Sequence, residues 1–385
     1  MKNKVQAWVS ENVKGDPIIW IIAVAFLLLS ILVVYSATGA LAYKSRGGNT
    51  EYFLFRQTIM VILSLIAMWG AHRIDYRFYA KISKIALLVA AVLLVYTWVS
   101  GINLNSATRW IQIPWINQQF QPSDFATFAL IVSLASMLAK RQQDIKNFKE
   151  SFIPILIWCG VIVGLIALSN FSSAILLFAT CMLLMFIGRV PLKYLMLLVL
   201  VGAMAGGIAL AVGQRLETVL SRIDDFMDPT EMSFQGRQSH IAIATGGIVG
   251  KGLGQSQQRN FLPESYSDFI YAIIIEEYGL IGGALVAFMY LALLYRGMVT
   301  TSKSDHPFGG LLAAGLSFAL VLQAFVNMAV AVGLGPVTGL PLPFLSMGGT
   351  SLLFTGISMG IILSVSRGNP DNFNRNKKKK KSLAF

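Results

Sequence analysis

Long apolar runs are the feature that most restricts what this chain can fold into. A helix needs about 20 apolar residues to cross the hydrocarbon core of a bilayer, and runs of that length recur along nearly the whole sequence. Hydrophobic residues make up 55% of the chain and charged residues only 13%. This pattern excludes a soluble globular domain and predicts an all-α polytopic membrane protein.

We predict ten transmembrane helices, with ends placed to within about two to four residues. They cover residues 17–39, 55–71, 84–100, 122–139, 152–168, 171–187, 194–212, 268–295, 309–332 and 348–366. One large loop, residues 213–267, separates the seventh and eighth helices. The chain therefore divides into an N-terminal segment (1–16), a membrane domain (17–366) and a basic tail (367–385).

The distribution of positive charge predicts the orientation in the membrane. Segments on the side of both termini hold 22 of the 31 lysines and arginines, and positive charge favours the cytoplasmic side. Both termini are therefore predicted to be cytoplasmic, and the loop 213–267 is predicted to lie on the outer face. The run Lys377–Lys381 follows the last helix, where it can contact anionic lipid head groups. No aromatic side chain is interleaved with this run, so the net charge of +13 does not indicate a nucleic acid partner.

Carboxylates at the membrane boundary are the strongest candidates for chemistry, because acids at bilayer depth are costly and functional by default. Asp268 and Asp124 both fall at the outer ends of predicted helices, at one depth. If the eighth helix begins at Pro263, Glu264 lies one turn from Asp268 on the same face. Repulsion between these two carboxylates, together with partial burial, would raise the pKa of one of them toward that of a base. Glu276 lies deeper in the same helix and ranks lower, as a packing or gating group.

Cations on the outer face could hold an anionic leaving group such as pyrophosphate. Arg109, Arg237 and Lys251 meet this condition, although a cation paired with a nearby acid is an equally good interpretation of each. Arg222 is expected to pair with an acid inside the large loop. A divalent cation, Mg²⁺ or Mn²⁺, would suit outer-loop acids acting on a pyrophosphate, but no ligand spacing demands one.

A segment rich in glycine and proline, residues 333–351, joins the ninth and tenth predicted helices. Its composition excludes a regular helix. Irregular backbone near a membrane persists only where protein buries it or where it lines a cavity. We therefore expect this segment to form a wall of a site.

Several motifs, taken in order, resemble one family. They are Ala107-Thr-Arg-Trp-Ile111, Phe120-Gln-Pro-Ser-Asp124, Gly246-Gly-Ile-Val-Gly-Lys-Gly-Leu-Gly254, Leu262-Pro-Glu-Ser-Tyr-Ser-Asp-Phe269, Glu276-Glu-Tyr-Gly279, Asn327 and Pro336-Val-Thr-Gly-Leu-Pro-Leu-Pro-Phe-Leu-Ser-Met-Gly-Gly-Thr-Ser351. On ten predicted spans with one large outer loop, this set resembles the SEDS family of bacterial shape, elongation, division and sporulation proteins. The short loops and the form of the last motif are closer to the division members than to the elongation members.

The resemblance implies a peptidoglycan glycosyltransferase that polymerises lipid II at the outer face of the bacterial cytoplasmic membrane, at the division septum. It also implies a class B penicillin-binding protein as partner, together with other membrane proteins of the division complex. By the same resemblance, Asp268 is the catalytic base and Asp124 a second acidic residue of the site. Asn327, Ser346 and Thr350 fall within matched motifs and are secondary candidates.

Three positions depart from the family pattern. Asp124 stands where a glutamate is usual, so its side chain is shorter by one methylene. Thr127 stands where a lysine is common, which removes a charge partner from that position. Asn170 stands where an aspartate is common, so a carboxylate there cannot be required in this protein.

Two other classes of function use a similar membrane body. A lipid II flippase would need the same cations and acids, but the sequence contains no inverted repeat and no pair of broken helices. A non-catalytic scaffold for division proteins accounts for the tails but not for Asp268. Within the family, an elongation enzyme is the alternative to a division enzyme.

Overall fold

The computed structural model describes residues 12–104, 107–113, 118–212, 216–227 and 233–368, and within them thirteen α-helices and three short strands. Helices α1 to α13 cover Pro17–Ala37, Gly39–Arg46, Thr50–Arg73, Tyr76–Ser100, Pro122–Lys140, Ile153–Ser169, Phe171–Ile187, Leu192–Val212, Leu216–Met227, Phe234–Gly246, Ile270–Lys303, Pro307–Ala331 and Gly349–Ser366. Strands β1 to β3 cover Ile102–Leu104, Ala107–Ile113 and Gln118–Phe120. The run Lys377–Lys381 lies outside the described residues.

Most of the described helices are membrane helices. Eight segments are long and apolar enough to cross a bilayer, namely α1, α3, α4, α5, α6 with the π-helical turn before it, α11, α12 and α13. Two shorter apolar helices, α7 and the first part of α8, occupy the predicted sixth and seventh spans. The predicted class, a helical multi-pass membrane protein, is confirmed, whereas the count of ten spans stays a prediction.

Helices α5, α12 and α13 form the centre of the bundle. Within their most apolar windows 67%, 67% and 61% of the residues are buried, against 28% in α3, α4 and α11. Small residues allow α13 to pack closely on α3: a Cβ built on Gly360 would lie only 2.2 Å from Met68 O. Ser64 Oγ of α3 also donates a hydrogen bond to Leu352 O of α13 at 2.8 Å.

A small antiparallel sheet follows α4 and was not predicted from the sequence. Its strand order is β1-β2-β3, and Ile111 and Gln112 of β2 pair with Phe120 and Gln119 of β3. Only the last three residues of β2, Ile111-Gln112-Ile113, alternate between apolar and polar side chains, so the sequence carries little signal for this strand. Strand β2, which carries Arg109, lies against α5.

The eighth predicted span, residues 268–295, is not one continuous helix. Gly279 has φ 69° and ψ −176°, which interrupts α11. In a straight helix the Cα atoms of residues 275 and 283 would be about 12 Å apart, but a Cβ on Gly283 would lie 2.7 Å from Ile275 Cγ1. Tyr271 Oη also donates to Gly283 O at 3.1 Å. Residues 270–278 therefore fold back on the rest of α11, and the long apolar part begins only after Gly279.

Close backbone contacts at Gly250 and Gly279 fix this fold-back. A Cβ on Gly250 would lie 2.3 Å from Glu277 O, and one on Gly279 would lie 2.1 Å from Ile248 O. Lys251 N donates to Glu276 O at 3.0 Å, so the loop after α10 runs alongside the interruption. The glycine-rich run 246–254 thus provides a packing surface, because only residues without a side chain permit this approach.

The segment between α12 and α13 has no regular helix, as predicted from its glycines and prolines. Several of its apolar side chains are buried, among them Leu340, Phe344 and Leu345. Gln323 Nε2 donates to Pro341 O at 2.8 Å, and Tyr290 Oη donates to Pro343 O. Side chains of α11 and α12 thereby satisfy the carbonyl groups that a helix would satisfy itself.

Candidate functional site

A cavity of about 600 Å³ lies at the end of the bundle where α5 and α13 begin and α12 ends. This volume falls within the range of about 300–1,000 Å³ that is typical of ligand sites. The charged and polar side chains in its wall come from α3, the sheet, α5, the start of α7, the turn before α11, α12, the segment before α13 and α13 itself. They include Arg56, Gln57, Arg109, Asp124, Asn170, Glu264, Asp268, Gln323 and Ser346.

Asp268 lies in a turn immediately before α11, and it lines the cavity. Its Oδ1 accepts a hydrogen bond from Ser267 Oγ at 2.9 Å. A Cβ built on Gly339 would lie 3.4 Å from Oδ2. The glycine, at φ 68°, therefore leaves space beside the second carboxylate oxygen.

The surroundings of Asp268 raise the pKa of its carboxyl group to about 6. Burial is the main cause, and the hydrogen bond from Ser267 acts in the opposite direction. The charge of Glu264 raises this pKa, whereas the charges of Arg109 and Arg222 lower it. A carboxylate with a pKa near 6 is largely ionised at neutral pH and basic enough to accept a proton in a reaction.

Two buried side chains hold the backbone of the Asp268 turn. Asn327 Nδ2 donates to Asp268 O and to Leu340 O, both at 2.7 Å. Ser346 Oγ donates to Ser267 O at 2.6 Å. Asn327 and Ser346 are only 1% and 4% exposed. These two secondary candidates therefore position the turn that carries the carboxylate.

The helix does not begin at Pro263, the start on which the predicted spacing of Glu264 and Asp268 depended. Residues 263–269 form turns, and α11 starts at Ile270. Glu264 adopts φ 55°, a left-handed conformation that is uncommon for a residue with a side chain. Its carbonyl accepts from Asp268 N at 3.1 Å. The two acids are thus close, as predicted, but a turn rather than a helix brings them together.

Asp124 lies in the first turn of α5 and lines the same cavity as Asp268, as predicted. Its Oδ2 is buried and has no hydrogen-bond partner within the described part of the chain. A buried polar atom without a partner is costly, so it marks a place where a ligand group or water would be favourable. Thr350 is not in the cavity wall; its Oγ1 accepts from Gln121 N at 3.3 Å and joins α13 to the start of α5.

The cations in the cavity wall agree only in part with those nominated from the sequence. Arg109 lines the cavity, as expected, and its Nε donates to Ser169 O at 2.9 Å. The charge of Arg222 lowers the pKa of Asp268, and its expected pairing with an acid inside the large loop stays a prediction. Arg56 of α3 also lines the cavity and was not nominated. Its position at the outer end of a predicted span could have drawn attention to it, since charges in membrane helices are rare.

Lys251 pairs with an acid, which is one of the two interpretations that the sequence left open for it. Its Nζ lies 2.7 Å from Glu276 Oε1, and Glu276 is fully buried. Glu276 also accepts from Gln257 N at 3.1 Å and from Ser256 Oγ. The lysine therefore compensates a buried carboxylate instead of facing the cavity. Arg237 is exposed on α10 and is not part of the cavity wall.

A divalent cation stays a prediction. Among the residues that the structure describes, no three side chains of His, Cys, Asp or Glu form a group that could hold a metal ion. Asp268, Asp124 and Glu264 line one cavity without forming such a group.

Comparison with known proteins identifies the family. Residues 16–370 match the family of cell cycle proteins that comprises FtsW, RodA and SpoVE. The chain is 37% identical over 361 residues to the probable peptidoglycan glycosyltransferase FtsW of Geobacter metallireducens, covering 92% of this chain and 96% of the relative. It is 33% identical to the stage V sporulation protein E of Bacillus subtilis, covering 93% of this chain and 98% of the relative.

Solved structures share the fold. A structure described as showing the coordination of polymerisation and crosslinking by a peptidoglycan synthase complex aligns with a TM-score of 0.72 at 24% identity, over 92% of this chain and 98% of that chain. The rod shape determining protein RodA of Thermus thermophilus aligns with a TM-score of 0.67 at 22% identity, over 92% of this chain and 97% of that chain. The resemblance inferred from the motifs is confirmed. The chain belongs to the FtsW/RodA/SpoVE family.

Proposed function

We propose that this protein is a peptidoglycan glycosyltransferase that polymerises lipid II during cell division, with Asp268 as the general base. The observation that carries this proposal is a buried carboxylate, with a pKa raised to about 6, in a cavity whose wall also holds Arg109. The names of the curated FtsW relatives support the reaction class. Asp124 serves as the second acid of the site.

The reaction requires one proton acceptor and cations for the leaving group. The hydroxyl oxygen of the incoming sugar attacks the anomeric carbon of the donor, and its proton passes to Asp268. The bond from that carbon to the polyprenyl pyrophosphate breaks, and the bonding electron pair leaves with the pyrophosphate. Arg109, which lines the cavity, stabilises this departing negative charge. From the sequence Glu264 was a further candidate for binding the substrate or its pyrophosphate; in this scheme its negative charge instead raises the basicity of Asp268.

A carboxylate acts as a general base only if it is ionised and correctly placed. The turn that carries Asp268 meets the second condition through Asn327 and Ser346, which bind its backbone. Preorganised geometry of this kind contributes to catalysis because the reacting groups need no reorientation. Asn327 and Ser346 are therefore positioning residues.

Polymerisation of purified lipid II in liposomes tests the proposal. Asp268→Asn keeps the size of the side chain but cannot accept the proton, so we expect glycan strands to disappear. Movement of fluorescent lipid II between leaflets, measured on the same liposomes, distinguishes a flippase, which would keep its transport activity. Glycan synthesis by the Asn variant at the wild-type rate would refute Asp268 as the base.

We further propose that the protein works with a class B penicillin-binding protein at the septum, with both termini in the cytoplasm. Support comes from the family and from the shared fold with a protein of a peptidoglycan synthase complex. Copurification of the penicillin-binding protein, followed by fluorescence microscopy of the pair, tests this. A location along the side wall instead of the septum would favour the elongation role.

A further inference from the structure

Arg56 is a cation inside a membrane helix, and no acid is paired with it. It is the seventh residue of α3, about 9 Å from the first residue of that helix. Its side chain is half-buried and lines the cavity that contains Asp268. Among the residues that the structure describes, no carboxylate forms an ion pair with Arg56 and no hydrogen bond binds its guanidinium group. A charge at membrane depth is costly and functional by default, so Arg56 calls for an anionic ligand.

One face of α3 forms this part of the cavity wall. Its members are spaced by three and four residues, as on one side of a helix; they are Phe53, Arg56, Gln57 and Met60. Hydrogen bonds hold this face in place, because Gln57 Nε2 donates to Ser30 Oγ at 2.8 Å and Ser30 Oγ donates to Leu345 O at 3.4 Å. The next residue, Ser346, binds the turn that carries Asp268. The segment before α13 therefore holds both the face of Arg56 and the turn of Asp268.

Arg56 lies at the border between the cavity face and the lipid-facing side of α3. At 100° per residue, it lies about 40° from Met60 on one side and about 40° from Tyr52 on the other. Met60 lines the cavity, whereas Tyr52, Phe55 and Ile59 are 40%, 69% and 38% exposed on an apolar membrane helix. A group bound to Arg56 is therefore inside the cavity and still within reach of the surrounding lipid.

The cavity wall is apolar on the side of α3 and polar on the side of Asp268. Helix α2 packs on α3, and the apolar side chains that these two helices contribute are Leu41, Phe53 and Met60. The turn before α11 contributes Glu264, Ser267 and Asp268. A ligand with an apolar chain on one side of its phosphate and a sugar on the other side matches this division.

We propose that Arg56 binds a phosphate group of the polyprenyl pyrophosphate donor and orients the donor, with its chain toward α3 and its sugar toward Asp268. A guanidinium group can donate two parallel hydrogen bonds to one phosphate. Arg109 lines the same cavity, but its Nε already donates to Ser169 O at 2.9 Å. Arg56 is thus a catalytic residue that contacts the leaving pyrophosphate. This inference rests on the proposed function, because it names how the same site holds its substrate.

Binding measurements test the role of Arg56 without any catalysis. Undecaprenyl pyrophosphate is titrated into purified protein in phosphatidylcholine nanodiscs. Arg56→Gln should weaken binding by about 10- to 100-fold, the range for loss of a hydrogen bond to a charged group. Arg56→Lys keeps the charge without the planar fork and should bind with intermediate affinity. Arg237→Gln removes an exposed arginine outside the cavity wall and should bind as wild type. Equal affinities of wild type and Arg56→Gln would overturn the proposal.

Two competing ligands identify the source of the phosphate. Dioleoyl phosphatidylglycerol in the nanodisc supplies the phosphate of an ordinary lipid, and inorganic pyrophosphate supplies the anion without a chain. Each should displace undecaprenyl pyrophosphate only at a higher concentration, because neither fills both sides of the cavity. Displacement by either ligand at an equal concentration would overturn the assignment to a polyprenyl donor.

Thermal unfolding separates a ligand-binding role of Arg56 from a structural one. A membrane arginine without a partner destabilises the ligand-free protein, so Arg56→Gln should unfold at the wild-type temperature or above it. The same variant should lose the increase in Tm that undecaprenyl pyrophosphate gives to wild type. A structural arginine predicts the opposite, namely a lower Tm with the ligand effect intact, and that result would refute the proposal.

Polymerisation of lipid II then distinguishes this inference from the proposed function. Arg56→Gln should lower kcat/KM for lipid II by about 10- to 100-fold, because the pyrophosphate loses a charge-assisted hydrogen bond. If wild type binds undecaprenyl pyrophosphate through Arg56 but makes no glycan, the proposed function fails and the binding site stands. If wild type makes glycan and Arg56→Gln matches it in both binding and kcat/KM, the role of Arg56 is refuted and the proposed function stands.

Discussion

The pH dependence of polymerisation is the sharpest consequence of the environment of Asp268. A base with a pKa of about 6 is almost fully ionised at pH 8 but only about one-tenth ionised at pH 5. The rate should therefore fall about tenfold between these two pH values. An aspartate with an ordinary pKa of about 3.9 would stay more than about nine-tenths ionised over the same range, and the rate would hardly change.

The assay is lipid II polymerisation by the purified protein with its penicillin-binding partner in liposomes, with initial rates measured from pH 5 to pH 8. Samples held at pH 5 and returned to pH 8 must recover full activity, which excludes unfolding as the cause of the decrease. Asp268→Asn should lose about 10²–10⁴-fold at pH 8, the range of general base catalysis. Wild-type rates that agree within about twofold at pH 5 and pH 8 would refute the reasoning, because burial would then not have made Asp268 a stronger base.

Three further predictions concern the parts that hold the site. Lys251→Met leaves Glu276 buried without its cation, so the free energy of unfolding in detergent should fall by about 3 kcal/mol; the added change Glu276→Gln should restore part of it, and an unchanged stability would contradict the pairing. Asn327→Ala frees the backbone of the catalytic turn, so kcat for lipid II should fall about tenfold or more while KM stays constant; a change in KM alone would argue against positioning. Gly279→Ala places a Cβ 2.1 Å from a backbone oxygen, so the yield of folded protein on gel filtration should fall sharply, whereas Gly164→Ala, with no atom within 4 Å, should behave as wild type.

Hydropathy and motif order predicted the membrane body, the family and the main acids of the site. Each of these depends on local sequence: apolar runs identify helices, and Asp268 stands at the border between a polar loop and an apolar run. The glycine- and proline-rich segment was also predicted correctly as irregular structure, since its composition alone excludes a helix. Local sequence predicts these features because lipid restricts the backbone to few conformations.

The fold-back at Gly279 could not be predicted in the same way. The apolar run continues on both sides of this glycine, and Gly282 and Gly283 follow closely without interrupting the helix. What distinguishes Gly279 is a contact with Ile248 O, which depends on a loop about 30 residues away in the sequence. Such packing sets the φ value of the glycine, and hydropathy does not predict it.

The cations of the site illustrate the same limit. Lys251 was a candidate for the pyrophosphate or for pairing with an acid, and the structure pairs it with Glu276, which lies in a different element. Arg222 was expected to pair inside its own loop, and its charge also acts on Asp268, outside that loop. Partner choice among charged groups depends on three-dimensional distance, so sequence could name the candidates but not their partners.

The packing of α13 on α3 has a consequence for how the protein is made. Ser346 and the helix that follows it are synthesised after Asp268 and after the helices that form most of the cavity wall. A nascent chain therefore holds Asp268 in the membrane for some time before the hydrogen bond from Ser346 and the contacts of α13 can complete its surroundings. A polypeptide truncated just before residue 346 contains Asp268 but lacks the hydrogen bond from Ser346 and the packing of α13, so the surroundings of the carboxylate are complete only once α13 has been translated.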